Sequence, residues 1–210
     1  MKRHEVYLFS ISSHPDAISI NSLDISFFQP SIDFSQYDYL IITSKQACEA
    51  LKQYNINEYI SKKALCISKA SAKSFEALGG TVLDIGEGYG DTLIQKIQTY
   101  PKSKKWLYLR AKIVASDFVD VCQKDAYNID EVVVYESRCS KEIADVEVSQ
   151  NATLIFTSPS SIECFLKNHI FFDTQKVIVI GKTSAKKLPK GVKYTLSEET
   201  SIQSCIDLSR

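Results

Sequence analysis

The hydroxyl-rich stretches of this 210-residue chain are where chemistry is most directly written. At 153–166, TLIFTSPSSIECFL opens with the apolar run Leu154-Ile155-Phe156, short and β-rich enough for a buried strand. Thr157, Ser158, Ser160 and Ser161 follow. Apolar residues then return at Ile162, Phe165 and Leu166, the spacing of a helix with one buried face. Ser158 suits an N-cap and Pro159 the first helical turn, so the hydroxyls stand among outward-pointing backbone N–H groups. Such a corner at the carboxyl end of a buried strand can hold an anion without a cationic side chain. The plainer alternative is that Ser and Thr cap helices everywhere, and capping alone accounts for any one corner.

The corner recurs. In YLIITSKQACEAL, at 39–51, Thr43 and Ser44 stand where Thr157 and Ser158 stand. ISKASAK at 67–73 matches IGKTSAK at 180–186, aligning Ser71 with Ser184 and adding Thr183. Both matches fall at nearly one offset, about 114 residues, the mark of a duplicated α/β unit. Four corners in matched pairs are harder to assign to capping alone.

Two further residues have chemical reach. Tyr135 closes the β run Val132-Val133-Val134. Its hydroxyl is either an amphipathic edge group in water or, facing a cleft between two lobes, a proton donor to a leaving group. Arg110, at the end of WLYLR, is either a solvated strand end or a bidentate partner for a carboxylate. GEGYGD at 86–91 lacks the Gly-Lys-Ser/Thr ending of a P-loop, and Gly181-Lys182-Thr183 has Lys176 where that motif requires glycine. His4, His14 and His169 show neither metal-ligand spacing nor a triad order, so no metal is expected.

Twenty-five basic and twenty-five acidic residues cancel, which argues against nucleic acid as a partner. The six cysteines show no C-x-x-C spacing and are read as buried, reduced thiols. No apolar run reaches the roughly 20 residues that span a bilayer, and the N-terminus lacks a secretion signal. A cytoplasmic protein that does not engage membranes is expected.

From position 39 onward, strands alternate with helices, at 39–44, 64–68, 81–85, 106–110 and 129–136, then at 153–158, 176–181 and 193–196. A helix is predicted over 113–124, and Gly79-Gly80 is read as a helix stop. This alternation predicts parallel sheets covered by helices. The second half is short of strands, so VYLFSI at 6–11 is expected to pair there, and the segment ISSHPDAISINS is read as turn-rich. The expected fold class is α/β, with two similar flavodoxin-like lobes joined by a two-stranded β ladder. Lobe 1 comprises 1–23 plus 140–210, lobe 2 comprises 31–131, and 24–30 with 132–139 form the ladder.

The order of strand-TS-helix corner, I-x-K-x-S-A turn, GGTV, YLRA, VVVYE, second corner FTSPSS and IGKTSA turn resembles the uroporphyrinogen-III synthases over nearly the whole chain. That resemblance implies a cofactor-free lyase of haem biosynthesis, cyclising hydroxymethylbilane to uroporphyrinogen III with inversion of the last pyrrole ring. It implies Tyr135 as the general acid, and Thr43, Ser44, Ser71, Arg110, Ser158, Thr183 and Ser184 as substrate contacts. A monomer is expected, with the bilane substrate and the upstream bilane-forming enzyme as partners. The chain departs from the family in two places: ISSHPDAISINS replaces a longer helix, and Ser68 replaces a common glycine. The rival reading is a two-lobed protein that binds an anionic small molecule without catalysis.

Overall fold

The computed structural model describes residues 5–114 and 116–210; His4 and Ala115, the latter inside the predicted 113–124 helix, lie outside the described residues. The chain begins with strands β1 (Val6–Ser10), β2 (Ile18–Asn21) and β3 (Leu23–Phe27). The next stretch carries β4 (Tyr39–Ile42), α1 (Lys45–Leu51), α2 (Ile56–Tyr59), β5 (Lys63–Cys66), α3 (Lys69–Glu76), β6 (Val82–Ile85) and α4 (Gly90–Gln98). It continues with β7 (Lys105–Ala111), α5 (Phe118–Lys124) and β8 (Asn128–Cys139). The remainder supplies α6 (Lys141–Asp145), β9 (Thr153–Phe156), α7 (Pro159–Phe165), β10 (Lys176–Val179), α8 (Lys182–Ala185), β11 (Tyr194–Leu196) and α9 (Ile202–Asp207).

Two compact units result. One comprises residues up to Asp24 together with Arg138–Arg210, and the other is Ile25–Ser137. The first holds a five-stranded sheet in the order β11-β10-β9-β1-β2; the six-stranded sheet runs β3-β8-β7-β4-β5-β6. Pairing is parallel along the whole five-stranded sheet and from β8 to β6 in the other. The chain passes between the units within β3 and β8, which are neighbours in the six-stranded sheet.

The two sheets are permuted versions of one another. Reading β2-β1-β9-β10-β11 against β8-β7-β4-β5-β6 matches every strand by position. The one difference is that the β7 and β8 equivalents of the first unit come from the start of the chain. The missing strand of the second half is therefore β1, paired with β9 in the register Val6↔Thr153 through Phe9↔Phe156.

The central strands are apolar on both sides because helices cover both faces. In the continuous unit, Leu40, Ile42, Leu107 and Leu109 face α1 and α3, whereas Ile41, Trp106, Tyr108 and Ile129 face α4 and α5. In the other, Phe9, Leu154, Phe156 and Val179 pack with Phe165, while Leu8, Ile155 and Ile178 meet α9. The stop after α3 is as the sequence suggests: Gly79 takes φ +89°, and Gly80 lies so close under the Phe75 ring that a Cβ would meet it at 2.4 Å.

Three expectations need correction. ISSHPDAISINS contributes β2, a half-buried edge strand in which Ile20 is buried in the core and Ile18, at the start of the strand, is exposed. The helix expected from 113 begins at Phe118, because Ile113 (84% exposed) and Val114 have no core to enter. The cysteines are not six free thiols: Cys139 and Cys164 form a disulfide, their Cα atoms 5.3 Å apart. Spacing could not show this, since the pair is brought together by α6 folding onto α7, with Ile143 in the core and its carbonyl bonded to the His169 ring.

The four remaining cysteines are free and buried. Thiol titration of oxidised protein in denaturant is thus expected to find four reactive groups, and six after reduction. Burial pushes the Cys48 and Cys66 thiols from 9.0 up to about 12. In the unfolded chain they ionise near 9, so their contribution to stability is complete below pH 9 and is lost as pH rises toward 12. Denaturant melts between pH 8 and 11 should show this decline, and the double substitution Cys48→Ala, Cys66→Ala should flatten it.

Candidate functional site

The carboxyl edge of the six-stranded sheet is built from helix starts. Ser44 (φ −152°) caps α1, its side chain accepting from the Gln46 N–H. Ser68 caps α3 through a reciprocal box: Ser71 N–H donates to Ser68 Oγ, and Ser68 N–H donates at 3.1 Å to Ser71 Oγ. A cap of this kind contributes about 1 kcal/mol. Ser71 was expected to contact ligand, yet its hydroxyl also donates to the Ser68 carbonyl and its side chain is 3% exposed. It shapes the turn; the Ser68 substitution is accommodated by the same box.

Tyr135 owes its position to an irregularity in β8. Arg110 pairs with Val133, but the next residue, Ala111, pairs with Tyr135, so β8 carries one extra residue, Val134. Strict alternation would send Tyr135 to the face opposite Val132 and Val134. The bulge instead places Val134 and Tyr135 together in the core under α1. The Tyr135 carbonyl accepts from Lys112 N–H at 2.8 Å, and the Val134 carbonyl accepts from Phe28 N–H at 2.9 Å, which fixes both sides of the bulge. At 7% exposure, burial raises the Tyr135 phenol above its ordinary 10.0, while a hydrogen bond with the Ser44 side chain pulls it down. The phenol is neutral at ordinary pH and holds its proton for donation.

On the opposite face, Thr43 Oγ1 lies 3.0 Å from Tyr108 Oη. Tyr108 is 3% exposed, with its phenol raised by burial. It was not singled out from the sequence, because inside WLYLR it reads as one more core residue. Arg110 points to the same face. Its Nε forms an ion pair with Glu131 at 2.9 Å and its Nη1 donates to the Ala111 and Lys112 carbonyls. An incoming carboxylate would have to displace Glu131 to reach it.

The five-stranded sheet presents the matching corners. Ser158 caps α7 by accepting from Ser161 N–H, with Pro159 at the first turn as the sequence predicts. Gly181 caps α8 without a side-chain bond, and Thr183 in its first turn is exposed. Ser184, by contrast, is 3% exposed and faces inward. An open cleft of about 430 Å³ in this unit is lined by Glu198, Glu199 and Asp207, a setting that repels carboxylates.

The sequence-predicted residues therefore fall into two groups. Thr43, Ser44 and Tyr135 converge at one sheet edge, and Ser158 and Thr183 lie at the equivalent edge of the other sheet. Ser71, Ser184 and Arg110 are engaged within the fold. Within the six-stranded unit, hydroxyls and a neutral buried phenol at one sheet edge make an arrangement that can hold an anion and donate a proton. Among the described residues no cluster of His, Cys, Asp or Glu could hold a metal, and no helix is long and apolar enough to cross a membrane.

The fold defines a class: a protein of two parallel α/β units with helices starting at the carboxyl edges of its sheets. The family described as uroporphyrinogen-III synthase HemD matches residues 16–207. The chain belongs to this family, whose members are enzymes of haem biosynthesis. Among solved structures, the Helicobacter pylori uroporphyrinogen-III synthetase superposes with a TM-score of 0.82 over 98% of both chains, at 21% identity. A mutant uroporphyrinogen III synthase from Thermus thermophilus reaches 0.65 over 97% of this chain and 96% of its own, at 12% identity. Comparison with curated proteins gives no match.

The tyrosine environment is directly measurable. With ¹³Cζ-labelled tyrosine, the Tyr135 resonance is expected to titrate above pH 10. In Ser44→Ala it should titrate higher still, because the removed bond is the one that lowers it. A Tyr135 titration unchanged by Ser44→Ala would show that the two hydroxyls are not in contact.

Proposed function

We propose that this chain cyclises hydroxymethylbilane to uroporphyrinogen III, releasing water, with Tyr135 as the general acid. The observation that carries the assignment of Tyr135 is its place in the bulge, which buries a neutral phenol in the core with the side chains of α1. The substrate's terminal hydroxyl is a poor leaving group until protonated. Tyr135 donates that proton, the adjacent pyrrole nitrogen supplies electrons, and an azafulvenium cation remains beside the phenolate. The phenolate left behind is stabilised by the Ser44 hydroxyl, then takes up the proton released as the ring closes and rearomatises. One water leaves and the enzyme is restored.

The rest of the task is holding the substrate. Thr43, Ser44, Ser158 and Thr183 offer hydroxyls beside first-turn N–H groups, and each helix terminus contributes on the order of 0.3–1 kcal/mol toward a carboxylate. Several such contacts hold a polycarboxylate on a chain of zero net charge. In this reading Ser71 and Ser184 build the turns, and Arg110 joins only by leaving Glu131. The finer expectations, a cytoplasmic monomer of the lyase class fed by a bilane-forming enzyme, accompany the same reading.

The test is the product isomer. Spontaneous closure of hydroxymethylbilane gives uroporphyrinogen I, so supplying the bilane and separating the oxidised products reports the enzyme directly. The III isomer should dominate and rise with protein concentration. A mixture containing only isomer I at every concentration would leave a binding protein in place of the enzyme.

A further inference from the structure

The two threonines that the repeat aligns, Thr43 and Thr157, have different hydrogen-bond partners. Thr157 Oγ1 donates to the Phe9 carbonyl at 3.3 Å, so its proton is engaged within the fold. Thr43 Oγ1 instead meets the Tyr108 phenol at 3.0 Å. The sheet registers identify the cause. Ile41, two residues before Thr43, pairs with Tyr108; Ile155, two residues before Thr157, pairs with Leu8. Tyr108 and Leu8 thus occupy one position of the duplicated sheet, and both are buried in the helix-covered core on the same side of their strands. Leucine satisfies packing there, so the phenolic hydroxyl serves something other than packing.

We infer that Tyr108 is a positioning residue that makes Thr43 a hydrogen-bond donor to a substrate carboxylate. A buried phenol must place its proton on an acceptor, and among the described residues Thr43 Oγ1 is the one within reach. Tyr108 O–H donates, Thr43 Oγ1 accepts, and the Thr43 proton is left to point out from a half-exposed side chain. Donation into Thr43 also strengthens its own donation onward, as in any chain of hydroxyls. The permuted repeat has therefore diverged into one donor corner and one self-satisfied corner.

This inference rests on the reading of Thr43 as a substrate contact, and the test separates the two. KM and kcat for isomer III formation are measured for Tyr108→Phe, Thr43→Val, their combination, and Thr43→Ser. One neutral hydrogen bond corresponds to roughly a 2–10-fold effect. Tyr108→Phe should raise KM about that much with kcat unchanged, and the double substitution should equal Thr43→Val alone. Thr43→Ser, which keeps the hydroxyl, should restore KM toward the parent value. If Thr43→Val raises KM while Tyr108→Phe does not, or if the two add fully, Tyr108 is a core tyrosine and the inference fails alone. If Thr43→Val leaves KM unchanged, the Thr43 contact and the inference fall together, while isomer III formation stands. Thermal melts of all four proteins identify any change that comes from loss of fold.

Discussion

One extra residue in β8 decides where the Tyr135 side chain points. The strand pairs regularly with β7 from Asn128 to Val133, then inserts Val134 before resuming at Tyr135. A period-two strand cannot otherwise place two consecutive side chains on one face. Without the insertion Tyr135 would point toward α4 and α5, joining Tyr108 and away from Ser44. With it, the phenol is buried, raised in pKa and beside the cap of α1. The backbone bonds from Phe28 and Lys112 hold the irregularity from both sides, so the bulge is a built feature of the sheet.

Duplication supplies the scaffold, and divergence within it supplies function. Both units place helix starts at the carboxyl edges of parallel strands, and both use serine caps there. Their corners nevertheless differ in which hydroxyl protons are free. Ser71 is tied into a capping box, Thr157 donates to a backbone carbonyl, and Gly181 has no side chain with which to cap. A polycarboxylate needs donors, so corners that look equivalent in sequence are unequal as ligand sites.

Much of the fold could be read from the residues because it depends on local patterns. Apolar runs ending in hydroxyls marked strand–helix corners, and the near-constant offset between repeats marked the duplication. The deficit of strands in the second half pointed to β1. What could not be read depends on register and on contacts distant in sequence. The bulge at Val134 leaves no trace in a run of three valines. Tyr108 sits unnoticed among core residues, since its significance comes from pairing with Ile41. The Cys139–Cys164 disulfide arises from the packing of α6 on α7, and inward turning of Ser71 and Ser184 follows from caps that composition alone does not orient.

The central claim is that the Tyr135 hydroxyl transfers a proton in the chemical step, and the most direct measurement is the single-turnover rate of Tyr135→Phe. The ring and its packing remain and only the O–H is lost, so fold and bilane affinity should be retained. A general acid contributes about 10²–10⁴-fold, and a loss of single-turnover rate in that range is the result this account predicts. A variant that binds the bilane normally and forms isomer III at the parent single-turnover rate would contradict it.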